Sequence, residues 1–370
     1  MTAYTAIVEK QRRFFKSGKT QPIEFRIEQL ETMKRMLKEN VDKISDAVYK
    51  DIHRSKPQAY CYEVSNVIIE IDYMIDNIAD WSKPHPVEKT MMTMLDSPMV
   101  KKDPLGVVLI ITPWNYPINM AFLPLVPAIA AGNTAIIKPS EIAPHCADVI
   151  AEMVAKYFDP EFLAVIKGGV KETTELLKER FDHILYTGAP PVGKLIMAAA
   201  AKHLTPVTLE LGGKCPVIVE KDADIEIAGK RIAWGKWLNC GQTCLAPDYI
   251  LTTAEVKPKL VAAMKKAVDS FYEGNPKTHN DYARVINDRH FERLSTLLDK
   301  TEGTVLMGGE RDKSDLYIQP TILDVKATDA FMKDEIFGPV LPIVTIKSLD
   351  EALEHIKDGE KPLAAYIFTN

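Results

Sequence analysis

The chain is poor in cysteine, and this scarcity excludes one class of fold. Five cysteines occur among 370 residues, an odd number and too few to build a disulfide scaffold in a chain of this length. Such sparse use suits a reducing compartment, where a cysteine with a special role is catalytic or binds a metal. We therefore expect a cytoplasmic protein in which any unusual cysteine carries chemistry.

A concentrated positive charge is also lacking. The formal net charge is −5, and lysine and arginine are not gathered into a block, which argues against a nucleic-acid partner. The first twenty residues scatter their charges and have no apolar core, so they do not resemble a targeting segment.

One long stretch has no charge at all. Residues 105–137 contain no charged side chain, which raises the question of a membrane span. Prolines and asparagines interrupt the stretch throughout, and no unbroken apolar run approaches the length of a bilayer crossing. We expect no membrane segment here, but a buried strand, a loop, a buried helix and a second strand.

Helical periodicity dominates the N-terminal part. From residue 22 to about residue 55, apolar residues recur three or four apart, as in an amphipathic helix. Residues 63–81 predict another helix, which Pro84 and Pro86 end. Residues 87–102 have little helical period and suggest an extended arm or hairpin.

From residue 107 onward, apolar runs alternate with helical stretches. The run VVLII at 107–111 is typical of a parallel strand covered on both faces. Further strands are predicted at 134–138, 162–167, 183–187 and 207–211, with helices between them at about 118–131, 144–158, 171–180 and 192–203. This alternation favours a doubly wound parallel sheet of the nucleotide-binding kind.

The pattern starts again after Gly213, which indicates a second α/β domain. Strands are predicted at 216–220, 247–253, 304–308, 339–346 and 363–368, with helices near 255–271, 288–300 and 349–358. We therefore divide the chain into a dinucleotide-binding domain at 1–211 and a catalytic domain at 212–370. An oligomerisation arm is expected around 84–104.

The segment GAPPVGK at 188–194 follows a predicted strand. It matches the first seven positions of a phosphate-binding P-loop, but the eighth position is Leu195, where magnesium binding needs Ser or Thr. The remaining signal is a strand, a turn and a helix N-terminus, whose unpaired N–H groups and dipole favour a pyrophosphate. A purely structural turn accounts for the same residues.

The segment NCGQTC at 239–244 contains two cysteines four residues apart. No second pair of ligands lies near them, so a metal site is not predicted. A nucleophilic thiol needs partial exposure, a glycine turn and a helper group. Gly241 provides the turn, but the residues themselves identify no helper.

Two polar side chains lie at ends of predicted strands. Glu210, in LELGGK, is either a buried paired carboxylate or a general base whose pKa is raised by burial. Asn115 follows the first strand of the sheet, at the carboxyl edge where ligands bind in such folds. Its amide either donates to an oxyanion or only forms a turn beside Pro117.

Six short motifs occur together in one order. They are TPWNYP (112–117), IIKPSE (136–141), TG with G-x-x-x-x-G (187–193), LELGGK (209–214), GQTC (241–244) and EIFGP (335–339). In this order they resemble the aldehyde dehydrogenase superfamily over essentially the whole chain. The flanking residues are similar to its class-3 branch, which handles medium-chain, fatty and aromatic aldehydes. The resemblance implies an aldehyde dehydrogenase-like α/β fold.

The resemblance also implies a mechanism. Cys244 is the nucleophile that attacks the aldehyde, and the Asn115 amide and the Cys244 backbone N–H hold the oxyanion. Hydride transfer to the cofactor leaves a thioester on Cys244. Glu210 then activates the water that releases the carboxylic acid, and Glu335 is a second choice for this base.

NAD or NADP is the implied cofactor. In the resemblance the phosphates lie near Gly188 and Gly193, and the adenosine ribose is contacted by Lys138 and Glu141. Glu335 and Phe337 resemble the pair that positions the nicotinamide ribose and ring. Trp114 completes the implied cofactor-binding residues.

The C-terminus differs from the family pattern. Family members continue past the position of Asn370 into a segment with a Pro-Phe-Gly-Gly motif and an arm used in homodimers, and membrane-anchored forms carry their anchor there. We expect a catalytic domain that is incomplete without that segment. One alternative is a non-catalytic relative that dimerises with or regulates an intact enzyme, and another is a thiol hydrolase without a cofactor.

Overall fold

The computed structural model describes residues 2–370 as two compact units. The first contains the described residues up to Ala47 together with Lys56–Glu210, and the second contains Val48–Ser55 and Leu211–Asn370. The functional assignment of a dinucleotide-binding domain at 1–211 and a catalytic domain at 212–370 stays a prediction.

Helices and strands alternate through most of the chain. The helices are α1 (Thr5–Lys16), α2 (Ile23–Glu39), α3 (Val41–Ile52), α4 (Lys56–Ala59), α5 (Asn66–Trp81), α6 (Asn119–Phe122), α7 (Leu125–Ala130), α8 (Pro144–Tyr157), α9 (Val170–Leu176), α10 (Pro190–Ala201), α11 (Ile225–Trp237), α12 (Lys257–Phe271), α13 (Asp288–Lys300) and α14 (Leu349–Lys357). The strands are β1 (His85–Pro86), β2 (Met99–Val100), β3 (Val107–Ile111), β4 (Thr134–Lys138), β5 (Leu163–Val165), β6 (His183–Gly188), β7 (Val207–Leu211), β8 (Pro216–Val219), β9 (Tyr249–Thr253), β10 (Thr304–Met307), β11 (Arg311–Asp312), β12 (Tyr317–Ile318), β13 (Thr321–Val325), β14 (Val340–Ile346) and β15 (Tyr366–Phe368).

The predicted long amphipathic helix is two helices. The chain breaks at Asn40, whose side-chain amide donates to the carbonyl of Met36 and so competes with helix continuation. The apolar face of α2 is fully buried at Leu30, Met33 and Leu37, as the periodicity predicts, while Ile27 in the first turns is only half-buried. A π-helical segment, Tyr60–Ser65, joins α4 to α5. The prediction of helix over 63–81 is thus confirmed from Asn66 onward.

The first unit is built on a five-stranded sheet with the order β5-β4-β3-β6-β7. The pairs around β3 and β4 are parallel, with Val107 opposite Thr134. Every residue of β3 and β4 is buried, because helices cover both faces of such a sheet. The predicted doubly wound arrangement and all five of its strands are confirmed.

The stretch of residues 105–137 runs through β3, α6, α7 and β4. The predicted single helix between the strands is two short helices, with Pro124 at the junction. Across residues 2–370, none of the helices combines the length and the apolar character needed to cross a membrane.

Residues 84–104 contain a short hairpin. β1 pairs antiparallel with β2, with His85 opposite Val100. Apolar side chains at its tip, among them Met92 and Leu95, are exposed. The predicted extended arm or hairpin is confirmed in form, and its part in oligomerisation stays a prediction.

The second unit contains a six-stranded sheet with the order β10-β13-β14-β9-β8-β15. Its neighbours are parallel except for β10 with β13. The sequence analysis did not predict α11 and β13, nor the short strands β11 and β12, nor helices α1 and α4 of the first unit. Helix α11 buries Lys236 while Trp234 is exposed, so its polarity pattern is inverted. Strand β13 contains Asp324, which pairs with Lys257.

Candidate active site

The loop after α11 carries the predicted nucleophile in a constrained backbone. Asn239, Cys240 and Gly241 all have left-handed φ values, 53°, 55° and 71°. A Cβ placed on Gly241 would collide with the carbonyl oxygen of Gly338. Only glycine fits there, so the turn that precedes Cys244 requires this residue.

A buried glutamine locks this loop. The Gln242 side chain is fully buried; its Nε2 donates to the carbonyl oxygens of Asn239 (3.1 Å) and Arg284 (2.9 Å). Its Oε1 accepts from the N–H of Ile286 at 2.9 Å. The Asn239 amide in turn donates to the Gln242 carbonyl at 3.0 Å. The loop is therefore held by side-chain amides that satisfy its irregular backbone.

The two cysteines of the loop have opposite environments. Cys240 is fully buried beside the Tyr282 hydroxyl, and burial raises the pKa of its thiol to about 12. A thiol in this state is unreactive, because the thiolate is the nucleophile. Cys244 is half-buried, and its carbonyl accepts a hydrogen bond from the buried Cys215 thiol at 3.4 Å. Of the two, Cys244 has the exposure that a nucleophile needs.

The EIFGP loop is fastened to the same unit by a charged network. Asp248 is buried; it accepts from the Ile336 N–H at 3.0 Å and pairs with Lys214 at 2.6 Å. Arg293 donates to the Ile336 carbonyl at 2.6 Å. Phe337, between these contacts, has a φ of 46°. This network fixes the backbone between Glu335 and Phe337.

Glu335 lies in a partly desolvated position against a glycine turn. A Cβ at Gly212 would collide with the Glu335 carboxylate, so the backbone at Gly212 approaches this side chain closely. Burial, with a smaller effect from the nearby negative charge of Asp248, raises the pKa of Glu335 to about 7. A backbone hydrogen bond from Gly213 opposes this rise. A carboxyl group with such a pKa can exchange protons near neutrality.

The expected burial of Glu210 is wrong. β7 is an edge strand of the first sheet, and the exposure of its residues alternates, so that Glu210 is exposed. The apolar neighbours in LELGG suggested a covered strand, but an edge strand can turn alternate residues to solvent. The argument from burial therefore does not apply to this residue.

Asn115 and Trp114 lie in the loop between β3 and α6. Asn115 is buried and Trp114 is half-buried. The loop begins where the Thr112 N–H donates to the Lys138 carbonyl at 3.1 Å, at the carboxyl end of β4. The predicted position of Asn115 at this edge of the sheet is confirmed.

Lys138 is a structural cation at the same edge. Its buried ammonium donates to the carbonyl oxygens of Pro139 (2.8 Å) and Gly168 (2.6 Å) and to the Glu141 carboxylate (3.1 Å). Three acceptors use all three of its donors. Glu141 is exposed and keeps acceptor capacity for a ligand.

The helix N-terminus at Gly188–Gly193 corrects one expectation. Pro190 and Pro191 have no N–H, and the N–H groups of Val192 and Gly193 both donate to the Ala189 carbonyl at 3.1 Å. The predicted supply of unpaired N–H groups from these four positions is therefore wrong. The dipole of α10 remains, and it favours a negative charge at this end.

The carboxyl ends of three adjacent strands nevertheless meet at one edge. β4, β3 and β6 are neighbours, and they lead to Glu141, Asn115 and Gly188 respectively. In open α/β sheets this edge binds the ligand, with the phosphates before a helix N-terminus. A carboxylate that keeps acceptor capacity for ribose hydroxyls beside its bond to Lys138, and a helix dipole for phosphates, fit a dinucleotide.

Several supporting residues were missed by the sequence analysis. Lys214 and Gln242 lie within quoted motifs but received no role, and Asp248, Arg293 and Glu63 received none either. A buried polar residue gives no local signal, because its partners lie far away in the sequence. The one available hint was a Gln beside a required glycine at 241–242.

The chain was compared with families and with known proteins. The profile of the "Aldehyde dehydrogenase family" matches residues 2–370. The mouse protein "Aldehyde dehydrogenase, dimeric NADP-preferring" is 50% identical over 371 residues, covering 100% of this chain and 82% of that protein. Mouse "Aldehyde dehydrogenase family 3 member A2" is 50% identical over 359 residues, covering 97% of this chain and 74% of that protein.

A solved structure matches the fold closely. It is described as the substrate-bound state of Staphylococcus aureus AldH, with a TM-score of 0.98 and 41% sequence identity. The match covers 100% of this chain and 81% of that one. Fold and sequence similarity therefore extend over the same residues.

Proposed function

The chain belongs to the aldehyde dehydrogenase family and is an oxidoreductase that converts aldehydes to carboxylic acids, and we propose that it does so with NAD(P) through a covalent bond to Cys244. The single observation that supports Cys244 as the nucleophile is its contrast with Cys240 in the same loop. Cys240 is fully buried and the pKa of its thiol is about 12, whereas Cys244 is half-buried and follows a turn that is held by hydrogen bonds. The aldehydes proposed are medium-chain, long-chain and aromatic.

The covalent steps follow from the side chains. The Cys244 thiolate attacks the aldehyde carbon to give a thiohemiacetal, and the Asn115 amide and the Cys244 backbone N–H hold the oxyanion. NAD(P), when bound, supplies the acceptor for the hydride of this adduct. Loss of the hydride leaves a thioester on Cys244, and water then releases the carboxylic acid and restores the thiol.

Glu210 is proposed as the base that activates this water, and its exposure gives it direct access to solvent. Glu335 is the second candidate, because its pKa of about 7 allows it to take up a proton near neutral pH. The two assignments differ in where the acid–base group lies and are separable by substitution. Glu335 otherwise positions the nicotinamide ribose with Phe337.

The cofactor is proposed to lie along the carboxyl edge of the first sheet. Glu141 accepts hydrogen bonds from ribose hydroxyls, Lys138 holds Glu141 in place, and the dipole of α10 faces the phosphates beside Gly188 and Gly193. Trp114 borders the same edge. A relative is named NADP-preferring, which supports a trial of both dinucleotides.

Glu141→Gln tests this placement. Removing the negative charge lowers the repulsion of a 2′-phosphate, so kcat/KM for NADP relative to NAD should rise about threefold, an effect of under 1 kcal/mol as for an exposed charge pair. An unchanged ratio would place the ribose elsewhere.

We further propose a homodimer in the cytoplasm. A relative of 50% identity is named dimeric, the hairpin at residues 84–104 exposes apolar side chains, and all five cysteines are free thiols. Light scattering of the purified chain and fractionation of expressing cells test these two points. The comparisons give no support to a non-catalytic relative.

The activity is tested by absorbance of NAD(P)H. The purified chain is mixed with NAD or NADP and with hexanal, benzaldehyde or a long-chain aldehyde. Cofactor reduction with matching carboxylate formation is expected. Hydrolysis of an activated ester without any aldehyde oxidation would instead identify a cofactor-independent thiol hydrolase.

A further inference from the structure

A fully buried carboxylate lies behind the loop that carries Asn115. Glu63 belongs to the π-helical segment Tyr60–Ser65, and its side chain has no exposure. Its Oε2 accepts from the backbone N–H of Ile118 at 3.0 Å and from that of Asn119 at 2.8 Å. Burying a carboxylate is unfavourable unless such charge-assisted bonds compensate for the lost water.

The two amides lie where the backbone needs an acceptor. α6 starts at Asn119, and the first N–H groups of a helix have no partner inside it. Only from Met120 onward does the chain supply its own acceptor, since the Met120 N–H reaches the Tyr116 carbonyl at 2.9 Å. Glu63 therefore fixes the C-terminal end of the loop, and the bond from Thr112 to Lys138 fixes its start.

We propose that Glu63 is a positioning residue that holds this loop so that the Asn115 amide meets the oxyanion. The proposal rests on the proposed role of Asn115. An oxyanion donor acts only within a narrow range of distance, and a shift of about 1 Å at a reacting group can lower the rate about a hundredfold. The hydrogen bond from the Ile118 N–H to Glu63 lies three residues from Asn115 and restrains it through the backbone.

Glu63→Gln is the sharpest substitution, because it keeps the shape and one acceptor oxygen but removes the negative charge that strengthens both hydrogen bonds. We expect kcat and the rate of the NAD(P)H burst to fall about tenfold, the effect of replacing two charge-assisted hydrogen bonds with neutral ones. Asn115→Ala should lower both about 10²–10³-fold. The double variant should be no slower than Asn115→Ala alone, because Glu63 acts through Asn115.

Asp182→Asn is the matched control. Asp182 is another carboxylate that accepts from a backbone N–H, that of Val107 at 2.9 Å, but at the opposite end of β3. Its substitution should lower Tm while kcat stays within about twofold, as for a change outside the site. Where Glu63→Gln does not fold, Glu63→Asp keeps the charge but retracts it by one methylene, and it should show the same loss and the same non-additivity.

The outcomes separate the two proposals. A Glu63→Gln enzyme that loses Tm like the control but keeps kcat, or a double variant whose losses multiply, would overturn the positioning role while leaving Asn115 as the donor. Full activity of Asn115→Ala would overturn both this inference and the proposed oxyanion site.

Discussion

Two loops, one in each compact unit, carry a proposed catalytic side chain and are stabilised in different ways. The loop at 112–118 holds Asn115 and is fixed by the charged Glu63, which comes from a distant helical segment. The loop at 239–244 holds Cys244 and is fixed by the neutral Gln242, which lies within the loop itself. In both, the proposed reacting group is distinct from the buried polar group that sets its position.

Because one supporting residue lies within its loop and the other lies far from it in the chain, the sequence reveals the two supports unequally. At 239–244 the required glycine, its left-handed neighbours and the supporting amide are adjacent, so a local motif contains both the chemistry and its support. At 112–118 the support is separated from the loop by more than fifty positions. Motif reasoning found Asn115 and had no means of finding Glu63.

The largest effect is expected from removing the thiol of the loop at 239–244 without changing the backbone of that loop. Cys244→Ala should abolish aldehyde oxidation, since no thiohemiacetal can form, while the affinity for NAD(P) measured by fluorescence stays unchanged. Cys240→Ala is the control four positions away, and it should keep most activity because that thiol is sealed. Equal loss in both variants would point to a paired role for the two cysteines.

Glu210→Gln should have the next largest effect. Removal of a general base lowers turnover about a hundredfold or more, but acylation of Cys244 should survive, so one burst of NAD(P)H precedes slow turnover. Stopped-flow absorbance separates the burst from the steady state. Loss of the burst would mean that Glu210 is needed before the thioester, and normal turnover would transfer the role to Glu335.

Gln242→Ala tests whether the hydrogen bonds of this side chain hold the loop at 239–244 in place. It leaves the Ile286 N–H and the Arg284 carbonyl without their partner, so the free energy of unfolding should fall by about 2–4 kcal/mol, and kcat should fall about tenfold through displacement of Cys244. Chemical denaturation and steady-state assays measure the two effects.

Gln11→Ala is the matched control for Gln242→Ala. Gln11 is also fully buried, in the first unit, and donates one bond to the Ala135 carbonyl at 2.7 Å. We expect a smaller loss of stability and an unchanged kcat. If Gln242→Ala behaves in the same way, its amide supports the fold but not the nucleophile.

The elements that sequence reasoning located correctly are those whose environment is uniform. VVLII at 107–111 and TAIIK at 134–138 are strands with those bounds, because full burial on both faces demands an unbroken apolar run. α13 was equally clear, since one face is apolar and the Asn287 side chain caps its start.

The failures have physical causes in particular residues. α11 places a buried Lys236 opposite an exposed Trp234, which reverses the usual polarity. Glu210 was expected to be buried, but the edge position of β7 turns it outward. Pro190 and Pro191 removed the amides that the phosphate interpretation required, although the strand–turn–helix order itself was right.

The smallest effect expected is on pH dependence, and it sharpens the contrast between Glu210 and Glu335. The pKa of Glu335 is raised to about 7, mainly by burial, so its basic form accumulates as pH rises from 6 to 8. If Glu335 takes part in proton transfer, kcat should rise about threefold between pH 6.5 and 7.5, and Glu335→Gln should remove the rise. The folded state holds this proton more tightly than the unfolded chain does, so folding is favoured by the protonated form and weakened as pH passes through about 7. Glu335→Gln should therefore gain Tm relative to the parent protein at pH 8 but not at pH 5. A pH profile that persists in the variant, together with equal Tm differences at both pH values, would leave Glu335 with only its proposed role in positioning the nicotinamide ribose.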